Sequence, residues 1–175
     1  MLVDSSRGGD KYMYSNANNA ELTSSNMITF GDSDGYVMRD DGTYLNGSSR
    51  TYVAWGWKAN GGTTATNTEG ATNSTVQANT KAGFSIIQYV GTGSTTTIGH
   101  GLDTAPDFMI HKNRDTTDSH AIVDSVRGIT SPAPYLASDQ TAAEATSTNM
   151  PTSVQSDGFT ITGNGGRTNT IGKDY

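Results

Sequence analysis

The chain has 175 residues, 33% of them hydrophobic and 16% charged, and it is rich in Gly, Thr, Ser and Asn, as turn-rich β-proteins are. Its net charge of −6 argues against nucleic acid as a partner, because proteins that bind DNA or RNA carry clustered Lys and Arg. The chain has no cysteine, which excludes disulfides and thiolate catalysis, and no apolar stretch approaches the roughly 20 residues of a membrane-spanning helix.

Short strands with alternating polarity, separated by Gly, Asn and Asp turns, are predicted along most of the chain. In chain order they cover residues 35–39, 51–58, 84–90, 95–98, 107–112, 120–124 and 158–162. The strand at 51–58 is expected in a core, because Val53, Trp55 and Trp57 share one face. Only 16–24 and 139–147 have the pattern of a single helical turn. We therefore predict an all-β fold, an antiparallel β-sandwich or jelly roll.

The chain repeats itself. The motif Val-Asp-Ser-Ser-Arg-Gly at 3–8 recurs with one change at 123–128, and 12–52 aligns without a gap on 135–175. The period is about 120 residues, so the chain holds one period and roughly 50 residues of the next. This pattern predicts a piece of a longer protein built of tandem repeats, with a single internally duplicated domain as the alternative.

Residues 60–82 include a long run of Gly, Thr, Ala and Asn with almost no large apolar side chain. Such a run buries too little apolar surface to offset the entropy lost on ordering. It is predicted to be a linker or long loop. Residues 1–59 are then the C-terminal part of one repeat, and 83–175 the N-terminal and middle part of the next.

Aromatic residues in loop-like, polar contexts are the strongest candidates for a binding site. A sugar-binding surface needs exposed rings for stacking, beside groups that hydrogen-bond hydroxyls. Tyr12, Tyr14 and Tyr44 meet that description. His100, with a glycine on each side, is expected to have an accessible imidazole, and Asp103 follows in the same loop. These five residues are the predicted glycan contacts.

Catalytic and metal-binding patterns are sparse. Asp32 and Asp34 place carboxylates on a turn and are weak calcium candidates, although no twelve-residue loop with a closing Glu follows them. The sequence has no glycine-rich phosphate loop that enters a helix. We therefore expect no enzyme activity and no cofactor.

Two segments carry a resemblance to a known family. They are Gly-Phe-Ser-Ile-Ile-Gln-Tyr-Val-Gly-Thr-Gly at 83–93 and Thr-Ile-Gly-His-Gly-Leu-Asp-Thr-Ala-Pro-Asp-Phe-Met-Ile-His-Lys at 97–112. With Ser-Asp-Gly-Phe at 156–159 and the segment 52–59, they are similar to a domain repeated in tail-fibre-like and adhesin-like proteins of marine bacteriophages. There the domain often accompanies concanavalin-like or SPRY-like modules. The resemblance implies a virion surface protein and supplies no catalytic residues.

The leading hypothesis is a structural and adhesive segment of a phage tail fibre or virion appendage, presented for attachment to a host-surface glycan or receptor. The expected partners are other virion proteins, the host glycan or receptor, and copies of the chain in a homotrimer. One alternative is a purely structural virion spacer or decoration protein. Another is a glycan-degrading tailspike, which needs a pair of carboxylates in a groove.

Overall fold

The computed structural model describes residues 1–25, 27–32, 35–39 and 45–175, and Asp32 through its backbone alone. In these residues every regular element is a β-strand, and every pair of neighbouring strands is antiparallel. The prediction of an all-β antiparallel fold is therefore confirmed. The finer prediction of a sandwich or jelly roll stays a prediction.

The strands are short and separated by turns rich in Gly, Asn and Asp, as the sequence pattern indicates. In chain order they are β1 (Lys11–Tyr12), β2 (Leu22–Thr23), β3 (Ile28–Asp32), β4 (Gly35–Met38), β5 (Ala65–Asn67), β6 (Ser74–Asn79), β7 (Phe84–Tyr89), β8 (Thr96–Gly99), β9 (Phe108–His111), β10 (Ala121–Asp124), β11 (Ala133–Tyr135), β12 (Ala145–Ser147), β13 (Pro151–Val154) and β14 (Gly158–Ile161).

The main core lies in the C-terminal two thirds of the chain. Here β5, β6 and β7 form one three-stranded sheet, β13, β14 and β8 form another, and β9 pairs with β10. Alternate side chains of these strands point inward and pack together. The buried members of this core are Tyr89, Ile98, Met109, Ala121, Val123, Ala133, Met150, Phe159, Ile161 and Tyr175.

The strand pairs of residues 1–39 recur later in the chain with the same register. Tyr12 lies opposite Leu22 where β1 pairs with β2, and Tyr135 lies opposite Ala145 where β11 pairs with β12. Both residues of the second pair are displaced by 123 positions from those of the first. The two halves of the sequence alignment therefore have the same local strand pairing.

The outer strand pair recurs in the same way. Ile28 lies opposite Met38 between β3 and β4, and 123 positions later Pro151 lies opposite Ile161 between β13 and β14. In the later copy β14 also pairs with β8, so that it is a central strand, whereas β4 pairs with β3 alone among the described residues. The same motif therefore has different surroundings in the two copies.

The expected core strand at 51–58 is wrong. These residues belong to no strand, and Val53, Trp55 and Trp57 are 81%, 78% and 63% exposed. Alternating polarity says nothing about whether a partner strand is present to bury the apolar face. Among the described residues none pairs with this segment.

The prediction that 60–82 is a linker or long loop is also wrong, because this stretch contains β5 and β6. Ser74 and Gln77 in β6 are only 3% and 1% exposed. The hydroxyl of Ser74 donates to the carbonyl oxygen of Gly99 at 2.7 Å. Ladder and side-chain hydrogen bonds thus order a segment that has few apolar groups.

The segments 16–24 and 139–147 contain no helical turn. Each instead ends in the second strand of a pair, β2 and β12 respectively. Pairing with β1 and β11 satisfies the backbone there, and a single helical turn would have to nucleate at a cost in free energy.

Candidate functional site

Tyr12 and Tyr14 are the two predicted glycan contacts that the structure brings together. Their rings meet edge to face, with centroids 5.6 Å apart and an interplanar angle of 87°. Both residues are half-buried, so part of each ring is open to solvent. A partly exposed aromatic pair offers a face on which the C–H groups of a sugar can stack.

His100 is fully buried, so the expectation of an accessible imidazole is wrong. Its Nε2 lies 3.0 Å from the carbonyl oxygen of Gln155, and its Nδ1 accepts a hydrogen bond from the backbone N–H of Leu102 at 3.0 Å. The neighbouring glycine explains the error, because Gly99 lies so close to Asn67 that a Cβ there would overlap the amide. The small residue lets the chain close over the histidine instead of exposing it.

The other predicted site residues are scattered or lie outside the described part of the chain. Asp103 is exposed in the loop between β8 and β9, whereas Tyr12 lies in β1. Tyr44 and Asp34 lie outside the described residues, and Asp32 is described through its backbone alone. No three His, Asp or Glu side chains among the described residues are grouped to hold a metal ion, and calcium binding stays a prediction.

Glu21 is the centre of a cluster of charged side chains that joins the N-terminal segment to the main core domain. Arg114 donates a hydrogen bond to each of the two carboxylate oxygens of Glu21, from Nε at 2.9 Å and from Nη2 at 3.1 Å. Arg7 and Lys11 donate to the same carboxylate at 2.9 and 3.1 Å. The Glu21 side chain is only 9% exposed.

These contacts fix the charge state of the carboxylate. Burial opposes ionisation of Glu21, but the hydrogen bonds from Arg114, Arg7 and Lys11 outweigh it and lower its pKa from 4.5 to about 2. A second link runs between the two backbones, because the N–H of Glu21 donates to the carbonyl oxygen of Arg114 at 2.7 Å. The two parallel hydrogen bonds from the Arg114 guanidinium to the Glu21 carboxylate make the side-chain contact between these two parts of the chain directional.

Gln77 provides another polar link across the same boundary. Its amide nitrogen donates to the hydroxyls of Ser6 at 2.7 Å and Ser5 at 3.1 Å. Its amide oxygen accepts from the backbone N–H groups of Asn60 and Gly62 at 3.0 and 2.9 Å. A side chain that is 1% exposed thus has both ends of its amide satisfied, as burial of a polar group requires.

We name the two sides of this contact by their residues. The joint face consists of Ser5, Ser6, Arg7 and Glu21, and the head face consists of Gln77, Gln88 and Arg114. The head face is held together within itself, because a guanidinium nitrogen of Arg114 donates to the Gln88 side-chain oxygen at 3.2 Å. The joint face belongs to the earlier sequence copy, and the head face belongs to the domain that carries the main core.

The joint face has a counterpart in the later copy, which we name the open face. It consists of Ser125, Val126, Arg127 and Glu144. Arg127 pairs with Asp124 as Arg7 pairs with Asp4. Glu144 is 49% exposed, however, and the nearest Arg127 nitrogen is 3.9 Å away. Val126 is 94% exposed.

A groove of about 650 Å³ lies between the N-terminal segment, β3 and residues 61–62. Asp10, Phe30 and Arg39 are among the side chains that line it, together with backbone of several glycines. Gly9 shapes this groove, because a Cβ at that position would overlap the carbonyl oxygen of Ile28. A carboxylate, a guanidinium and an aromatic ring in a shallow groove are groups that recognise sugars.

The exposed apolar groups include Trp57 and two residues of β9. Trp57 stacks on Phe84, with ring centroids 6.1 Å apart and an interplanar angle of 18°, while 63% of Trp57 remains exposed. On β9, Phe108 and Ile110 face outward with 56% and 49% exposure, whereas the residues that alternate with them are buried. These two side chains give the outer face of β9 an apolar character.

The sequence does not directly indicate the joint, which is the contact between the joint face and the head face, because its members Glu21, Gln77 and Arg114 are far apart in the chain. A partial signal was available: Asp4 with Arg7 and Asp124 with Arg127 share the same spacing in both repeats. Repetition of an ion pair indicates that it is part of the repeated unit, but it does not reveal the partner contributed by another copy.

The described residues contain no helix with the length and apolar character of a membrane span. Neither the curated proteins nor the solved structures provide a significant match to the chain. A family model described as a domain of unknown function, DUF7483, matches residues 1–118 and again residues 104–175. Because the first match alone covers more than half of the sequence, the chain belongs to the DUF7483 family.

Proposed function

We propose that this protein is a structural and adhesive segment of a phage tail fibre or related virion appendage, presented for attachment to host-surface glycans. The observation that carries the structural part is the joint around Glu21 and Arg114, where one copy of a repeated motif docks on the next domain. The two overlapping matches of one family model support the same tandem arrangement. Repetition extends the reach of a fibre and multiplies weak binding sites.

The adhesive part of the proposal rests on two features. The Tyr12–Tyr14 pair offers a stacking surface, and the 650 Å³ groove offers Asp10, Arg39 and Phe30. Sugar hydroxyls can donate to the carboxylate and accept from the guanidinium, while a pyranose face packs on an aromatic ring. The assignment to a virion comes from the family resemblance in the sequence.

Binding of the labelled chain to an array of bacterial surface polysaccharides tests the adhesive part. Arg39→Ala and the double variant Tyr12→Ala with Tyr14→Ala should each weaken binding at least tenfold. Tyr135→Phe, at the repeat position of Tyr12 but away from the groove, is the control and should leave binding unchanged. Unchanged affinity in both site variants would show that the glycan site is wrongly assigned.

A purely structural spacer is the second candidate, and the exposed face of β9 favours it. Phe108 and Ile110 are about half exposed on one face of the strand, which suits packing against a virion neighbour or another copy of the chain. A chain that binds no polysaccharide on the array, but whose Phe108→Ser variant no longer incorporates into virions, would support the spacer over the adhesin.

A further inference from the structure

We propose that the open face, Ser125, Val126, Arg127 and Glu144, is a docking site for the head face of a further copy of this domain. Gln77 and Arg114 of the further copy would contact the open face as Gln77 and Arg114 of this chain contact the joint face. This inference rests on the proposed tandem function and adds the partner and the contact through which successive copies meet.

The first argument is that both faces are built on the same framework. Arg7 pairs with Asp4 and with Glu21, and Arg127 pairs with Asp124 and approaches Glu144. The strand pairs that adjoin these residues also have the same register in both copies. The open face therefore presents its carboxylate from the same scaffold as the joint face.

The second argument is the contrast in exposure between equivalent residues. The Glu21 side chain is 9% exposed and that of Glu144 is 49% exposed. The Arg7 side chain is 4% exposed and that of Arg127 is 19% exposed. Each member of the open face is thus more accessible than its counterpart. Glu21, the counterpart of Glu144, is covered by the head face with Arg114.

The third argument is complementarity of charge and hydrogen bonding. The open face offers a carboxylate at Glu144 to the guanidinium of an Arg114, and a hydroxyl at Ser125 to the amide of a Gln77, as Ser5 does. Val126 replaces Ser6, so one hydroxyl contact with Gln77 is lost. In exchange, docking would remove from water an apolar side chain that is now 94% exposed.

The two faces of such a contact differ from each other, so the contact is heterologous. Heterologous contacts that do not close into a ring generate linear arrays. The intact chain offers a free open face while its own head face is covered by Glu21. A third copy is therefore needed to test the proposal.

The test uses the full chain extended by one copy. Because Tyr175 stands at the repeat position of Tyr52, residues 1–175 are followed directly by a second segment 53–175, which brings its own Gln77 and Arg114. Amide hydrogen exchange then reports docking at Glu144 without any substitution. The N–H of Glu21 already donates to the carbonyl oxygen of Arg114 and serves as the internal reference.

We expect the Glu144 amide to exchange at least tenfold more slowly in the extended chain than in the 175-residue chain. We also expect Glu144→Gln to lower the melting temperature of the extended chain by several degrees and to leave that of the 175-residue chain unchanged. A Glu144 amide that still exchanges fast, together with a neutral Glu144→Gln, would overturn the proposal.

A second variant keeps the test decisive if Val126 weakens the contact. Val126→Ser restores the residue found at Ser6, and protection that is absent even in this extended variant also overturns the docking. If the extended chain does not fold, the Glu144 exchange is measured in a mixture with the Glu21→Gln chain. In that chain Arg114 has lost its carboxylate partner at residue 21 and can bind a carboxylate of another chain. No slowing at millimolar concentration would again count against the docking.

The outcome is distinguishable from failure of the proposed function. Loss of polysaccharide binding in the Arg39→Ala chain concerns the groove and leaves the Glu144 exchange rate as it is. Copies that stay undocked while the chain still binds polysaccharide would overturn this inference alone.

Discussion

Tyr175 and Tyr52 occupy the same position of the repeat, yet their side chains have opposite surroundings. The ring of Tyr175 stacks on that of Tyr89, with centroids 5.1 Å apart and an interplanar angle of 11°, and it is 6% exposed. The ring of Tyr52 is 45% exposed. One residue type at one repeat position is therefore a core element in one copy and a surface group in the other.

This difference predicts unequal effects of removing the two hydroxyls. The Tyr175 hydroxyl donates to the carbonyl oxygen of Gly166 and accepts from the N–H of Thr170, both at 2.8 Å. Tyr175→Phe should therefore lower the free energy of unfolding by about 1 to 3 kcal/mol, because it leaves buried polar groups without a partner.

Tyr52→Phe is the matched control. The Tyr52 hydroxyl accepts from the N–H of the buried residue Gly47 at 2.8 Å, but Tyr52 itself is 45% exposed and water can take the place of its hydroxyl, so the expected loss is below about 1 kcal/mol. Urea unfolding of both variants measures the difference. Equal losses would contradict the assignment of Tyr175 to the core.

Gly158 and Gly35 form a second matched pair. A Cβ at Gly158 would lie 2.6 Å from the carbonyl oxygen of Ile98, whereas one at Gly35 would meet nothing within 4 Å. Gly158→Ala should destabilise the protein by about 1 to 3 kcal/mol through backbone displacement between β14 and β8. Gly35→Ala should be near neutral, as thermal unfolding of the two variants will show.

Removal of the charge at Glu21 should be costly, unlike the same change at Glu144. Glu21→Gln leaves Arg114 and Arg7 without their carboxylate in a site that is largely buried, and we expect a loss of about 2 to 4 kcal/mol. Glu144→Gln in the 175-residue chain should change the free energy of unfolding by less than about 0.5 kcal/mol, because the side chain is half exposed. Denaturant titrations of both variants distinguish these values, and a neutral Glu21→Gln would argue against the joint.

The pH dependence of stability should show two acid windows, which overlap near pH 4. Burial lowers the pKa of His111 from 6.5 to about 4, so the unfolded chain binds a proton more readily than the folded one between these values. The resulting stability is fully present above pH 6.5 and is lost as the pH falls towards 4, at a cost of about 3 kcal/mol. The depressed pKa of Glu21 adds a second loss between pH 4.5 and about 2.

Two variants separate these windows. His111→Leu, which places an apolar group of similar size next to Phe159, should reduce the loss between pH 6.5 and 4 and leave the lower window in place. The part of the loss that remains comes from His120, whose pKa is also lowered by burial and by Lys112. Glu21→Gln should do the reverse. Unfolding by urea at a series of pH values measures both effects, and a His111→Leu curve parallel to that of the original chain would contradict the first window.

The sequence was a good guide to the strands because they depend on local pattern. The strands at Phe84, Phe108, Ala121 and Gly158 begin within one residue of their predicted starts. Alternating polarity and turn residues fix where backbone is extended, and these signals lie within a few residues of each other.

Burial and partners could not be predicted in the same way. Nothing in the segment around Trp55 shows whether another strand covers it, and nothing beside His100 shows that Gln155 will bind it from 55 positions away. Likewise, Gln77 lies in the stretch that was predicted to be a linker, and its contacts with Ser5 and Ser6 order it. These properties depend on contacts between distant parts of the chain, which a local pattern does not record.

The asymmetry of the joint between Glu21 and Arg114 gives any array built on it a polarity. One terminus would display carboxylates of the Glu144 type, and the other would display guanidinium groups of the Arg114 type. The two termini would therefore attract different partners. End repeats of a solenoid-like array need an outer face that does not recruit a further copy. A cap that stops growth at one terminus must therefore match only the charge displayed at that terminus.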